Sequence, residues 1–262
     1  MNIKERLKEV NTRQLSKVEI VNLILYFIIL IMPFIVTNVS GPRYVIGKVW
    51  FLYIFTCLAI VVSVKFERIK LKKENIIALI FLLTIAISTL FSPYKDIAIF
   101  GNYDRNEGLI MWAVYVALFI ISSKYLIINK RILNIILIVA SIMGIYGVFQ
   151  FYGFDPIQKW ALGTIKVSNS FGTIGNRNFY STYICLFLFI SMSIFIFKGE
   201  KRYLIYSIFL FSGLLCSLTR GGWLAFILFS IIGFMFIVKN KRALKRVSLV
   251  FIIFSVVFFV IN

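Results

Sequence analysis

The chain contains no histidine. Imidazole is therefore excluded as a general base, a proton shuttle or a metal ligand. Acids are also scarce, with 10 Asp and Glu against 29 Lys and Arg in 262 residues. None of them lies clearly inside an apolar stretch, which argues against a proton-coupled transporter, because intramembrane carboxylates mark such relays. The three cysteines, Cys57, Cys185 and Cys216, sit in apolar segments at no metal-ligand spacing and read as small buried hydrophobes. No Walker motif, Rossmann fingerprint or nucleophile elbow occurs. Nothing in the pattern calls for a metal or a cofactor.

What is present is apolar. Hydrophobic residues make up 61% of the chain and aromatic residues 17%, with a mean hydropathy of +0.95. Soluble domains hold roughly 45–50% apolar residues, so the composition points to an all-α, polytopic transmembrane helical bundle. The formal charge of +19 invites a nucleic-acid partner. Position argues against one, because the basic residues cluster in short segments between apolar runs, as topology signals do.

The run Tyr203–Val238 holds one charge, Arg220, in 36 residues. As one helix it would reach about 54 Å, well beyond the roughly 30 Å of bilayer hydrocarbon, so it must break. The adjacent glycines Gly221 and Gly222 are the expected place, since glycine weakens a helix interior and permits a turn. Both flanks are basic, which makes the run a membrane hairpin with Arg220 at its outer tip.

The same reasoning along the chain gives a cytoplasmic amphipathic segment, 1–17, and a transmembrane domain, 18–262. Its spans are expected at 18–39, 44–64, 75–91, 108–128, 132–151, 179–197, 203–219, 223–238 and 247–262, with Pro33 kinking the first. The inner segments then carry 21 of the 29 Lys and Arg and the outer segments 8, which sets the N-terminus in the cytoplasm. The last stretch offers only 16 residues, about 24 Å of helix. On that ground the chain reads as the amino-terminal piece of a longer protein or a truncated gene product, with a complete protein ending in a short tilted helix as the plainer alternative.

Plausible chemistry collects on the outer side. One polar loop runs Phe100-Gly-Asn-Tyr-Asp-Arg-Asn-Glu-Gly108, bounded by glycines. A second runs Phe171-Gly-Thr-Ile-Gly-Asn-Arg-Asn-Phe179, and Arg220 with its glycines makes a third. Each brings one arginine, Arg105, Arg177 or Arg220, to the same membrane surface. A guanidinium fork matches paired phosphate oxygens, and amides freed by Gly175, Gly221 and Gly222 add donors, so a diphosphate is the expected ligand. Plainer alternatives stand beside this. Arg105 can pair with Asp104 and Glu107, interfacial arginines snorkel to lipid phosphate, and Asn176 or Asn178 can cap the following helix. Trp112, Trp160, Trp223 and Tyr103 suit an interfacial aromatic belt, with carbohydrate stacking as the sharper option.

The run Phe171–Tyr183 (FGTIGNRNFYSTY), the hairpin Ser217–Ala225 (SLTRGGWLA) and the loop Phe100–Leu109 (FGNYDRNEGL) resemble the O-antigen ligase and polymerase family, which includes pilin-type O-oligosaccharyltransferases. The resemblance implies a membrane glycosyltransferase of polysaccharide biosynthesis in the bacterial cytoplasmic membrane. Such an enzyme takes glycan from an undecaprenyl diphosphate carrier at the outer face and joins it to an acceptor hydroxyl, without metal or cofactor. It implies Arg220 as the catalytic arginine at the diphosphate, with Arg177, Arg105, Asn176, Asn178 and Tyr103 binding substrate. Gly175, Gly221 and Gly222 serve as structural glycines. Implied partners are the lipid-linked oligosaccharide, membrane lipid and glycan-assembly proteins, with no nucleic acid. The family also carries an essential histidine on a large extracytoplasmic loop beyond about the ninth span, so the resemblance implies that this chain is truncated before that loop. The runner-up is a lipid-linked polysaccharide flippase, which calls for a water-filled, charge-lined cavity; the third reading is an inactive truncated homologue.

Overall fold

The computed structural model describes residues 18–38, 42–64, 72–163 and 169–261. The amphipathic segment 1–17, most of the basic segment 65–73 and residues 164–168 of the long outer stretch lie outside the described residues. Among those described, the chain is helical and contains no strand. This is what apolar runs require where no water can satisfy backbone N–H and C=O groups. Each expected apolar stretch coincides with a helix. Among the described residues six helices are long and apolar enough to cross a membrane: Ile46–Val64, Lys73–Phe91, Lys130–Phe151, Arg177–Lys198, Arg220–Ile237 and Lys241–Ile261.

The chain divides into two compact units at Ile128 and Asn129. The first holds α1 (Val18–Phe34), α2 (Ile46–Val64), α3 (Lys73–Phe91), the short α4 (Lys95–Phe100) and α5 (Leu109–Tyr125). Its core is built on Val21, Leu25, Leu52, Ala59 and Met111. Buried Asn22 ties α1 to the end of α5: its Nδ2 donates to the Tyr125 carbonyl at 2.6 Å, and its Oδ1 accepts from the Ile127 amide at 2.9 Å. Pro33 does not kink a helix interior. It sits in the closing 3-10 turn, Met32–Phe34, after which Ile35 is extended; a ring that clashes with the preceding turn is best placed where the helix stops.

The second unit holds α6 (Lys130–Phe151), α7 (Pro156–Leu162), α8 (Arg177–Lys198), α9 (Lys201–Cys216), α10 (Arg220–Ile237) and α11 (Lys241–Ile261). Helix α9 packs against α6, α8 and α11. Its approach to α6 is close because two glycines meet there: a Cβ on Gly213 would lie 2.8 Å from the Gly144 Cα. Small residues allow such backbone contact between membrane helices. A buried pair, Ser191 and Ser207, links α8 to α9 at 2.9 Å. The start of α6 and the α8–α9 and α10–α11 turns share one end of the unit. There Glu200 meets Lys130 at 2.9 Å and Arg202 at 2.5 Å, and Arg246 donates to the carbonyls of Ile196 and Phe197. Residues 169–176, the α9–α10 turn and the start of α8 share the opposite end.

Two expectations about the last three helices are corrected. The hairpin does not break at Gly221 and Gly222, which lie within the first turn of α10. The chain turns at Ser217, Leu218 and Thr219, with Leu218 at φ +49°. Nor is the final helix short. It begins at Lys241, on a cap from the Asn240 side chain to the amides of Arg242 and Ala243, and its 21 residues give about 31 Å. Counting only the uncharged run left out its basic first turns.

Candidate anion-binding site

Helices α8 and α10 run parallel and begin side by side. Their contact is set by Gly222, where an added Cβ would lie 2.9 Å from the Ser181 Cβ and from Leu214 Cδ1, and 2.8 Å from Thr219 Oγ1. Gly222 is therefore a close-packing glycine. Gly221 has nothing within 4 Å of that position. Each helix opens with an arginine as its first residue, Arg177 in α8 and Arg220 in α10. Both are exposed, and neither forms an ion pair or hydrogen bond with another described residue.

The two helix starts are finished differently. At α8 the Asn176 side chain accepts from the amides of Asn178, at 2.9 Å, and Phe179, at 3.4 Å, so its oxygen is committed to capping. At α10 the Thr219 side chain makes no cap; it pairs instead with the Ser217 hydroxyl at 3.0 Å. The first amides of α10 are left without a side-chain acceptor. Two parallel helix N-termini, one of them uncapped, each carrying a guanidinium, form a local excess of positive charge and donors suited to an anion with several oxygens.

A buried polar network fixes the segment that leads into α8. Gln150, at the end of α6, donates through Nε2 to Asp155 Oδ2 at 2.7 Å and to the Gly172 carbonyl at 3.1 Å. Its Oε1 accepts from the amides of Phe171, at 3.2 Å, and Gly172, at 2.7 Å. Asp155 in turn caps α7 through the Gln158 amide at 2.8 Å and accepts from the Tyr146 hydroxyl. Beneath this, Tyr180 is fully buried and donates to the Met143 carbonyl at 3.1 Å. Its ring fills a space that side chains at Gly147, Gly172 and Gly213 would occupy. Much of the Phe171–Tyr183 pattern thus has a structural role: Gly172 gives room to Tyr180, Thr173 is buried, Gly175 takes φ +85° and Asn176 caps. Arg177 and Asn178 are exposed at the start of α8, along with Gly175, Asn176, Phe179 and Thr182.

The remaining candidates are Tyr103, Arg105 and Trp223. Tyr103 and Arg105 are exposed on a tight loop of the first unit, residues 101–108, closed at its base where a Cβ on Gly101 (φ +90°) would lie 2.7 Å from the Gly108 amide. Trp223 is half-buried, with ring centroids 6.1 Å from Phe211 and 6.3 Å from Phe226, so packing claims it. Sequence reasoning passed over Gln150, Asp155, Tyr180 and Gly147. Only the polarity of Gln150 at the end of an otherwise apolar run signals the network. Compared with models of protein families, with curated proteins and with solved structures, the chain matches none.

Proposed function

We propose that the protein is a membrane glycosyltransferase of the O-antigen ligase and polymerase type. It would act on glycan carried by undecaprenyl diphosphate at the outer face of the bacterial cytoplasmic membrane, through about nine spans with the N-terminus inside. The observation that carries the reading is the pair of arginines, Arg177 and Arg220, heading two adjoining parallel helices. The gathering of Lys130, Lys201, Arg202, Lys241, Arg242 and Arg246 at the opposite end of the same unit supports the orientation. Arg220, beside the uncapped amides of α10, neutralises negative charge on the diphosphate. That charge grows as the bond from the anomeric carbon to the phosphate oxygen breaks, so the contact is worth more in the transition state than in the ground state. Arg177 takes the second phosphate and Asn178 the adjoining sugar. Asn176 contributes by holding the first turn of α8. The roles of Arg105 and Tyr103 rest on the sequence pattern alone.

Arg220→Ala in a strain that depends on the protein tests this. The expected result is loss of glycan transfer at an unchanged protein level, with untransferred lipid-linked glycan accumulating on the outer leaflet. Normal transfer would refute the assignment, and accumulation on the inner leaflet would point to a flippase.

A further inference from the structure

The first unit contains a second polar feature, which the diphosphate reading does not use. A cleft of about 420 Å³ opens between α3, α4 and α5. Its walls carry Thr84, Ser88, Thr89, Ser92, Glu107 and Trp112. Thr84 and Ser88 stand four residues apart and so share one face of α3, and Ser92 follows as the extended residue that caps its end. A hydroxyl stripe on an otherwise apolar helix is costly against lipid unless the groups bond within the chain or to a ligand. Three of the cleft's hydroxyls are half-engaged. Thr84 donates to the Phe81 carbonyl at 2.7 Å and Thr89 to the Ile85 carbonyl at 2.9 Å, which leaves their oxygens as acceptors. Ser92 Oγ accepts from the Tyr94 amide at 3.2 Å, which leaves its proton to donate. The Ser88 hydroxyl forms no hydrogen bond with a described residue.

At the same cleft stands Glu107, an exposed carboxylate. The Trp112 ring is held by edge contacts to Phe81, with centroids 5.3 Å apart, and to Tyr115, at 5.6 Å. Its plane is therefore set before any ligand arrives. The volume falls within the range of small-molecule sites, roughly 300–1,000 Å³. One carboxylate among neutral hydroxyls disfavours an anion, and a single acid with an indole is a poor set for a hard cation. The combination suits a neutral polyol: neighbouring hydroxyls donate to the carboxylate, others exchange hydrogen bonds along the α3 stripe, and the C–H face of a sugar ring lies on Trp112.

We propose that this cleft binds an uncharged saccharide, either free or as the headgroup of a lipid. Neither Arg177 nor Arg220 lines it. The test uses the full chain in nanodiscs of phosphatidylglycerol and phosphatidylethanolamine, followed by tryptophan emission. One arm adds maltotriose or chitotriose; the other places rising fractions of monoglucosyl diacylglycerol in the disc. A saturable change is expected that disappears in Trp112→Phe and needs about tenfold more ligand in Glu107→Gln, as the loss of a hydrogen bond to a charged group predicts. A response to the free sugars assigns a soluble glycan, and a response to the glycolipid alone assigns a lipid headgroup. Ser88→Ala, on an exposed position, gives a second variant that leaves folding intact, and it too should weaken binding. No saturable change in either arm, or equal affinity in wild type, Glu107→Gln and Ser88→Ala, overturns the proposal.

Discussion

Replacing Gln150 with leucine conserves most of the side-chain volume and removes only the amide. Four partners then lose their bond inside the protein: the amides of Phe171 and Gly172, the Gly172 carbonyl and one oxygen of Asp155. Gln150 and Asp155 are 4% and 3% exposed, so water cannot replace the amide without rearrangement. A buried polar group left unpaired costs roughly 1–3 kcal/mol, and more when it is charged. Allowing for relaxation of the 170–176 turn, the variant should be less stable by about 4 kcal/mol. The assay is reversible unfolding of the second unit in mixed micelles, followed by far-ultraviolet circular dichroism. A cycle with Asp155→Ala separates the pair: Asp155→Ala should cost at least about 1 kcal/mol less in the Gln150→Leu background, because its partner has already gone. A Gln150→Leu loss below about 1 kcal/mol, or strictly additive losses, would show that the network does not hold this turn.

Three further outcomes follow from the geometry. Gly221→Ala should be neutral or stabilising by up to about 1 kcal/mol, since helix propensity favours alanine and nothing stands within 4 Å, whereas Gly222→Ala should push α10 away from α8 and reduce transfer; equal effects in a paired stability and activity measurement would refute the contact. Leu218→Gly should gain about 0.5 kcal/mol in the same unfolding assay, the relief of a left-handed leucine outweighing the added freedom of the unfolded chain, and a loss would show that Leu218 is not strained. Hydrogen bonds from Lys130 and then Arg202 hold the Glu200 carboxyl below its usual range. The folded state therefore releases this proton more readily, and the contribution to stability, present above an unfolded value of about 4.3, is lost as the pH falls through the lower folded value. Unfolding temperatures measured from neutral to acid pH should show that limb flattened in Glu200→Gln, and an unchanged limb would exclude the ion triad as its source.

The sequence by itself determined the helical class, because runs of this apolarity can satisfy their backbone only as helices where water is absent. It also located the nine long helices of the described residues approximately, missing where a basic first turn continued an apolar run, as at Lys241, and it left the short helices Lys95–Phe100 and Pro156–Leu162 inside loops. Capping was partly legible: Asn176 was a candidate cap from its place before an apolar run, and it is one. Turn position was not. A glycine pair in an apolar run has two physical uses, permitting a turn or permitting close approach, and the sequence does not distinguish them. Only the packing of α10 on α8 made Gly222 a contact and moved the turn to Leu218. The same holds for the candidate site. The sequence supplied arginines without nearby acids, but their neighbourhood depends on which helices begin together. That Gln150 reaches Gly172, and that Gly147, Gly172 and Gly213 surround Tyr180, was decided by tertiary structure, because those partners lie between 8 and 33 residues apart in sequence and meet only once α6, α8 and α9 are packed.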